Sequence, residues 1–137
     1  MIMLEVLPIQ SKIEQEAVCA RCGIVYDADC MAYHTLIDGA LIGICQFYMD
    51  AEGGHIRSLA LVKDEVMNDR DRTESLFVMG RATLNFIDLC GTHVAFFEDD
   101  QFTEEALIRS IGFSRRADRR WYMDLAGFFN EPCKCGH

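Results

Sequence analysis

The sequence has few positively charged residues: it contains 13 lysines and arginines but 22 aspartates and glutamates, and the formal net charge is -9 at pH 7. Because proteins hold the phosphate backbone of nucleic acids largely through lysine and arginine, this balance argues against a nucleic-acid partner. No stretch approaches the roughly 20 apolar residues that a membrane-spanning helix needs. The N-terminal segment also lacks the basic start and the apolar run of a signal peptide. We therefore expect a cytoplasmic protein without a membrane partner.

The seven cysteines do not form an even set. Without an export signal, they are expected to be mostly reduced thiols rather than a disulfide framework. Half of the residues are hydrophobic, and the 137 residues suit one domain with one substantial core. The sequence thus predicts a single domain over residues 1–129 and a polar, cysteine-rich C-terminal tail over residues 130–137.

Turn and capping residues divide the first half of the chain into short elements. Met1–Leu7 is predicted to be a strand, and Ser11 with Glu14 forms a capping box for a helix that Gly23 can end. Three apolar segments then alternate with strong turn signals, which predicts a three-strand antiparallel meander. Its strands are expected at Tyr33–Ile37, Leu41–Met49 and His55–Val62, with turns at Asp38-Gly39 and Ala51–Gly54.

The second half predicts two helices and two strands. Asp71 and Glu74 form a second capping-box pattern, so a long helix is expected over Thr73–Cys90. The apolar segment Val94–Phe97 is typical of a buried strand in a parallel pair. Thr103 is expected to cap a short helix that ends before Gly112, and a last strand is expected over Arg119–Phe129. Together these elements predict a mixed, mostly antiparallel α/β sheet with flanking helices.

This order of elements resembles that of the GNAT N-acetyltransferase superfamily over nearly the whole chain. Leu59-Ala60-Leu61 is similar to the family's central strand, and Val94–Phe97 is similar to the strand that parts from it. Glu105–Phe113, followed by Trp121–Leu125, is similar to the closing helix, the Gly-Phe turn and the last strand. The resemblance implies a splayed central parallel strand pair with acetyl-CoA bound between the two strands.

The resemblance also implies a set of cofactor-binding residues. Backbone groups of two residues would contact the pantetheine arm, and three side chains would lie near the phosphates: Leu59 and Leu61, then Arg72, Thr73 and Ser75. The family's phosphate loop, Arg/Gln-x-x-Gly-x-Gly/Ala, is absent, because Asp69 and Asp71 or, in another register, Ser75 and Phe77 stand at its glycine positions. Glycine lets backbone N–H groups approach a phosphate closely, so this loop is expected to bind phosphate weakly.

The catalytic groups of the family are similarly incomplete. Ile108 stands where many members carry a tyrosine that protonates the departing thiolate. A general base is sought near the start of the central strand, and His55 is the candidate because its unperturbed pKa is about 6.5. A solvated turn histidine is the alternative interpretation. The resemblance implies transfer of an acetyl or acyl group from CoA to a small-molecule or peptide amine, and the alternative is a catalytically degenerate binding or regulatory module.

Paired cysteines suggest a third possibility, a small zinc-binding protein. Four ligands could converge from two segments: Cys19 and Cys22, then Cys133 with Cys135 or His137. Because the first pair is predicted to lie in a helix and the terminal spacing is tight, no metal is expected.

Basic and aromatic residues cluster near the C-terminus. Arg115, Arg116, Arg119 and Arg120 surround Asp118, which suggests either an anion site or a solvated hairpin turn. The aromatic residues of this region, namely Trp121, Tyr122, Phe128 and Phe129, are expected to belong to the core or to a homodimer contact.

Overall fold

A computed structural model describes residues 3–64, 66–99 and 103–129. Within these ranges the elements are β1 (Leu4–Pro8), α1 (Lys12–Cys22), β2 (Met31–Ile37), β3 (Ala40–Met49), β4 (Gly54–Leu61), α2 (Asp69–Leu89), β5 (Val94–Phe97), α3 (Glu105–Ile111), β6 (Ser114–Arg115) and β7 (Trp121–Asp124). The strands form one sheet in the order β1-β2-β3-β4-β5-β7-β6. All neighbouring strands are antiparallel except β4 and β5, which are parallel. The predicted mixed, mostly antiparallel sheet is confirmed.

In the first half of the fold, the capping and turn residues have the roles that the sequence predicted. The Ser11 side chain accepts a hydrogen bond from the Glu14 N–H at 3.3 Å, and Gly23 ends α1 in the left-handed region at φ 69°. Asp38 and Gly39 both have positive φ, as the tight turn between β2 and β3 requires. The antiparallel pairs β2–β3 and β3–β4 confirm the predicted meander.

The parallel pair β4–β5 is short. Its register joins Gly54 to Ala95, His55 to Phe96 and Ile56 to Phe97, and the Glu98 N–H donates to the Ile56 carbonyl at 2.9 Å. Beyond this point β4 continues to Leu61 without pairing to β5. The register between β3 and β4 also shifts here, because Ser58 pairs with Gln46 while Ile56 pairs with Phe47. Arg57 is thus the extra residue of a β-bulge at the point where the two strands part.

The long helix α2 begins earlier than predicted. Asn68 is its N-cap, and the Asn68 side chain accepts a hydrogen bond from the Asp71 N–H at 2.8 Å. The expected start at Thr73 with Asp71 as the cap is therefore wrong. Asparagine caps a helix as well as aspartate does. The helix therefore begins after the upstream cap, Asn68, and Asp71 lies in its first turn.

Two predictions near the C-terminus are also wrong. Thr103 does not cap α3: Glu104 occupies the N-cap position, and the buried Thr103 hydroxyl has no hydrogen-bond partner in the described part of the chain. The expected strand Arg119–Phe129 is reduced to the four residues of β7, because residues 116–120 form the turn after β6. Arg119 has φ 70° in that turn, a backbone conformation that is incompatible with a continuing strand.

The sheet has a hydrophobic core on each face. Alternate residues of β3 point to opposite sides, so Ile44 packs against α1 residues such as Val18, while Cys45 packs with Met79 of α2 and Ile111 of α3. The helices α2 and α3 therefore cover one face and α1 covers the other.

Candidate functional site

The parting of β4 from β5 opens a cleft of about 1220 Å³. Its floor is the β4 segment from Arg57 to Leu61, and its walls come from the end of α1, the start of α2 and the first turns of α3. Leu59 and Leu61, which the resemblance assigned to the cofactor, are part of this lining. A strand without a neighbour offers backbone hydrogen-bonding groups to a ligand, so the cleft is suited to an extended molecule.

One end of the cleft lies at the N-terminus of α2. Arg72 and Thr73 are among its lining residues, and Lys63, whose side chain lies against Gly23 at the end of α1, adds a second cation to the lining. Asp69 also lines the cleft there and adds a negative charge. Ser75, the remaining predicted cofactor residue, lies outside the lining and is buried, with its hydroxyl 3.9 Å from the Met67 sulfur.

The other end of the cleft carries a carboxylate that the sequence reasoning missed. Glu98 follows β5 directly and lines the cleft at the point where the strands part. Glu98 Oε2 accepts a hydrogen bond from the Tyr48 hydroxyl at 2.7 Å and lies 3.0 Å from His55 Nδ1. Arg57 Nη1 is 3.4 Å from Glu98 Oε1. The local signal was an acidic residue immediately after a buried strand, which is a common place for functional side chains in open sheets.

His55, the predicted general base, is only 2% exposed and does not line the cleft. Its ring is stacked between Tyr48, at a centroid distance of 4.5 Å, and Phe96, at 5.2 Å. Nε2 lies 2.9 Å from Asp50 Oδ1, and Nδ1 faces Glu98. Both ring nitrogens are thus engaged by carboxylates, and His55 contacts the cleft through Glu98.

Asp50, Glu52 and His55 also bring their potential metal-ligating atoms within 4.8 Å of one another. Arg120 already binds this group, because its Nη2 donates to Glu52 Oε1 at 2.9 Å and its Nη1 donates to Oε2. The Arg120 hydrogen bonds lower the pKa of Glu52, and the His55 hydrogen bond lowers the pKa of Asp50. These charges are compensated within the protein, as in an ion-pair network.

Residue 108, where many members of the family carry a tyrosine, supplies no hydroxyl group to the α3 wall of the cleft. Ile108 is 0% exposed and belongs to the core between the sheet and α2. The α3 residues that line the cleft include Leu107 and Ser110, whose hydroxyl donates to the Leu107 carbonyl at 2.8 Å. A tyrosine at residue 108 would therefore point into the core.

The first cysteine pair is part of the core. Cys19 and Cys22 are buried on the sheet-facing side of α1, and burial raises the pKa of Cys22 to about 12 and that of Cys19 to about 11. Burial thus favours the neutral thiol, the form in which cysteine packs in a hydrophobic core. The other hypothetical ligands, Cys133, Cys135 and His137, lie outside the described residues.

The arginine cluster packs on aromatic rings at the turn between β6 and β7. Arg115 lies 4.7 Å from the ring centroid of Trp121, and Arg120 lies 4.0 Å from that of Phe96. Arg116 donates to Asp118 and, by this hydrogen bond, lowers the pKa of Asp118 to about 2. Trp121 is fully buried, which assigns it to the core.

Several solved structures with a similar fold are acetyltransferases. The ribosomal-protein-S18-alanine N-acetyltransferase from Escherichia coli is 9% identical, with a TM-score of 0.64 over 90% of this chain and 94% of that one. A Bacillus subtilis acetyltransferase in complex with CoA is 14% identical, with a TM-score of 0.63 over 91% and 99%. The aminoglycoside 6'-N-acetyltransferase from Enterococcus faecium is 6% identical, with a TM-score of 0.61 over 88% and 97%. No family model matches the sequence, and neither does any curated protein. This chain has the GNAT fold, as the resemblance implied.

Proposed function

We propose that this protein is an N-acyltransferase that transfers an acyl group from CoA to an amine. The observation that carries the proposal is the cleft between the parted strands. It combines a β4 segment that β5 does not pair, the cations Lys63 and Arg72, and the carboxylate of Glu98. The CoA complex of the Bacillus subtilis protein, which has the same fold, supports the choice of cofactor.

The residues of the cleft fit an acyl-CoA. Lys63, Arg72 and Thr73 would hold its phosphates, since cations and the amides at a helix N-terminus both attract anions. The β4 backbone at Leu59 and Leu61 would hold the pantetheine arm. Acyl-CoA supplies the acyl group as a thioester. Asp69 opposes phosphate binding, so we expect affinity in the weak part of the usual range.

Glu98 is the residue that we assign as general base, in place of His55. Its carboxylate lines the cleft where the strands part, and Tyr48 and His55 hold Oε2 in a fixed orientation. Oε1, which also accepts a 3.4 Å hydrogen bond from Arg57 Nη1, would accept the proton of the amine as the amide bond forms, the thioester C–S bond breaks and CoA leaves as the thiolate.

A second candidate function is a binding or regulatory module that has lost catalysis. Two observations favour it, and the first is that the N–H of Leu59, which a bound acyl-pantetheine would need, already donates to Asp99 Oδ2 at 3.3 Å. Ile108 supports it as well, because a core isoleucine supplies no proton to a departing thiolate. Binding of acetyl-CoA without turnover on any amine would favour this alternative.

Release of free thiol from acetyl-CoA, screened over amines and peptides, tests the proposal. With an accepted amine, Glu98→Gln should lower kcat by about 10²–10⁴-fold, because the amide cannot accept the proton, while the affinity for acetyl-CoA should not fall. Glu105→Gln is the matched control. It removes the same charge from α3, where Glu105 pairs with Arg109 and does not line the cleft. Full turnover by Glu98→Gln would show that another group is the base.

A further inference from the structure

The parting of β4 and β5 leaves a backbone donor that needs a partner. Leu59 is buried in the floor of the cleft, and β5 no longer runs beside it. A buried N–H without an acceptor is costly, so native structures satisfy nearly all such groups. Here the acceptor is a side chain from the facing strand end: Asp99 Oδ2 lies 3.3 Å from the Leu59 nitrogen.

Asp99 is placed to hold this contact. It stands two residues after the end of β5, immediately after Glu98, and is only 9% exposed. Its side chain therefore spans the gap between the parted strands and lines the same cleft. The acceptor is a carboxylate, whose hydrogen bonds to N–H groups are stronger than those of a neutral acceptor at the same distance, and the distance of 3.3 Å makes this a long bond that a ligand can displace.

On the proposed function, the same N–H is a donor for the neutral carbonyl oxygen of an acyl-pantetheine arm. One N–H cannot serve both acceptors at full strength. We propose that Asp99 is a built-in competitor of the cofactor: its carboxylate occupies the Leu59 N–H in the free protein and is displaced when acyl-CoA binds. Asp99 thereby sets the affinity of the cleft for acyl-CoA.

Charge strengthens the competition. Asp69, Glu98 and Glu104 line the cleft together with Asp99, whereas the cofactor carries anionic phosphates. Removing Asp99 therefore both frees a donor and reduces repulsion. Removing Glu104 reduces repulsion alone, because its side chain makes no capping hydrogen bond to α3. Asp99→Ala and Glu104→Ala form a matched pair that separates the two effects.

The experiment measures the Kd of acetyl-CoA by calorimetry for the whole chain and for both variants. We expect Asp99→Ala to bind about tenfold more tightly than the unmodified protein, equivalent to about 1.4 kcal/mol, and Glu104→Ala to gain much less. Asp99→Asn keeps an acceptor oxygen without the charge, so its Kd should lie between those of the unmodified protein and Asp99→Ala. If Asp99→Ala does not fold, Asp99→Asn still tests whether the Asp99 carboxylate weakens acetyl-CoA binding.

Amide exchange of Leu59, followed by NMR in the free protein, tests the contact without any cofactor. Asp99→Ala should accelerate this exchange. Equal or weaker acetyl-CoA binding by Asp99→Ala, or an equal gain in Glu104→Ala, would overturn the inference while leaving the proposed function intact. If neither the unmodified protein nor Asp99→Ala binds acetyl-CoA at millimolar concentration, the proposed function is wrong, and the inference falls with it.

Discussion

Gln46 is the polar residue whose loss should damage both the fold and the cleft. It is 0% exposed in the middle of β3, and all four of its side-chain hydrogen-bonding positions are used. Its Oε1 accepts from Gln15 Nε2 at 2.9 Å and from the Asp27 N–H at 3.0 Å. Its Nε2 donates to the Val25 carbonyl at 2.9 Å and to the Ser58 hydroxyl at 3.0 Å. One amide thus ties α1, the loop after it and β4 to β3.

Gln46→Leu keeps a similar volume but leaves these partners without their hydrogen bonds. Each buried polar group left unsatisfied costs about 1–3 kcal/mol. Because Gln15 keeps contacts to the carbonyls of Asp27 and Cys30, we expect a total loss of about 3–5 kcal/mol in the free energy of unfolding, to which the unsatisfied groups contribute most. The melting temperature should fall by roughly 10–20 °C.

Urea-induced unfolding, followed by the fluorescence of the buried Trp121, measures this loss. Thr35→Val is the matched control: Thr35 is also 0% exposed in the sheet, but its hydroxyl has no hydrogen-bond partner among the described residues. Valine has the same shape, so the control should be neutral or more stable. A loss below about 1 kcal/mol in Gln46→Leu, or an equal loss in the control, would refute the argument from hydrogen bonding.

Two further predictions concern packing and pH. Gly43→Ala should destabilise the fold by about 1–3 kcal/mol in the same urea assay, because the new Cβ would lie 2.6 Å from the Ala60 carbonyl oxygen. A Gly43→Ala variant as stable as the unmodified protein would contradict that packing. The Asp118 pKa is lowered to about 2, so its contribution to stability is present above the unfolded pKa near 3.8 and is lost as the pH falls towards 2. Asp118→Asn should therefore flatten the stability profile over that window, and an unchanged profile would argue against the Arg116–Asp118 pair.

Local patterns in the sequence were enough to predict the order of the elements, except for the two-residue strand β6. Capping by Ser11 and the left-handed Gly23 at the end of α1 are contacts between near neighbours, and the tight turn at Asp38-Gly39 needs no distant partner. The start of α2 was missed because Asn68 and Asp71 are both good caps, and only the path of the incoming chain decides between them. The GNAT-like order of strands and helices followed from these local features.

The side chains that line the cleft, and their contacts with one another, depended on the tertiary structure. Leu59 and Asp99 are 40 residues apart in the chain, and His55 and Glu98 are 43 apart. Nothing in the neighbouring residues marks such a pair, because the contact exists only once β5 pairs with the first residues of β4 and then parts from it. The sequence by itself determined the local elements, and its resemblance to the GNAT superfamily implied a cleft between two parted strands. The tertiary structure decided that Glu98 faces it, that His55 lies behind Glu98, and that Asp99 holds the free N–H of β4, since burial and long-range pairing depend on the whole sheet.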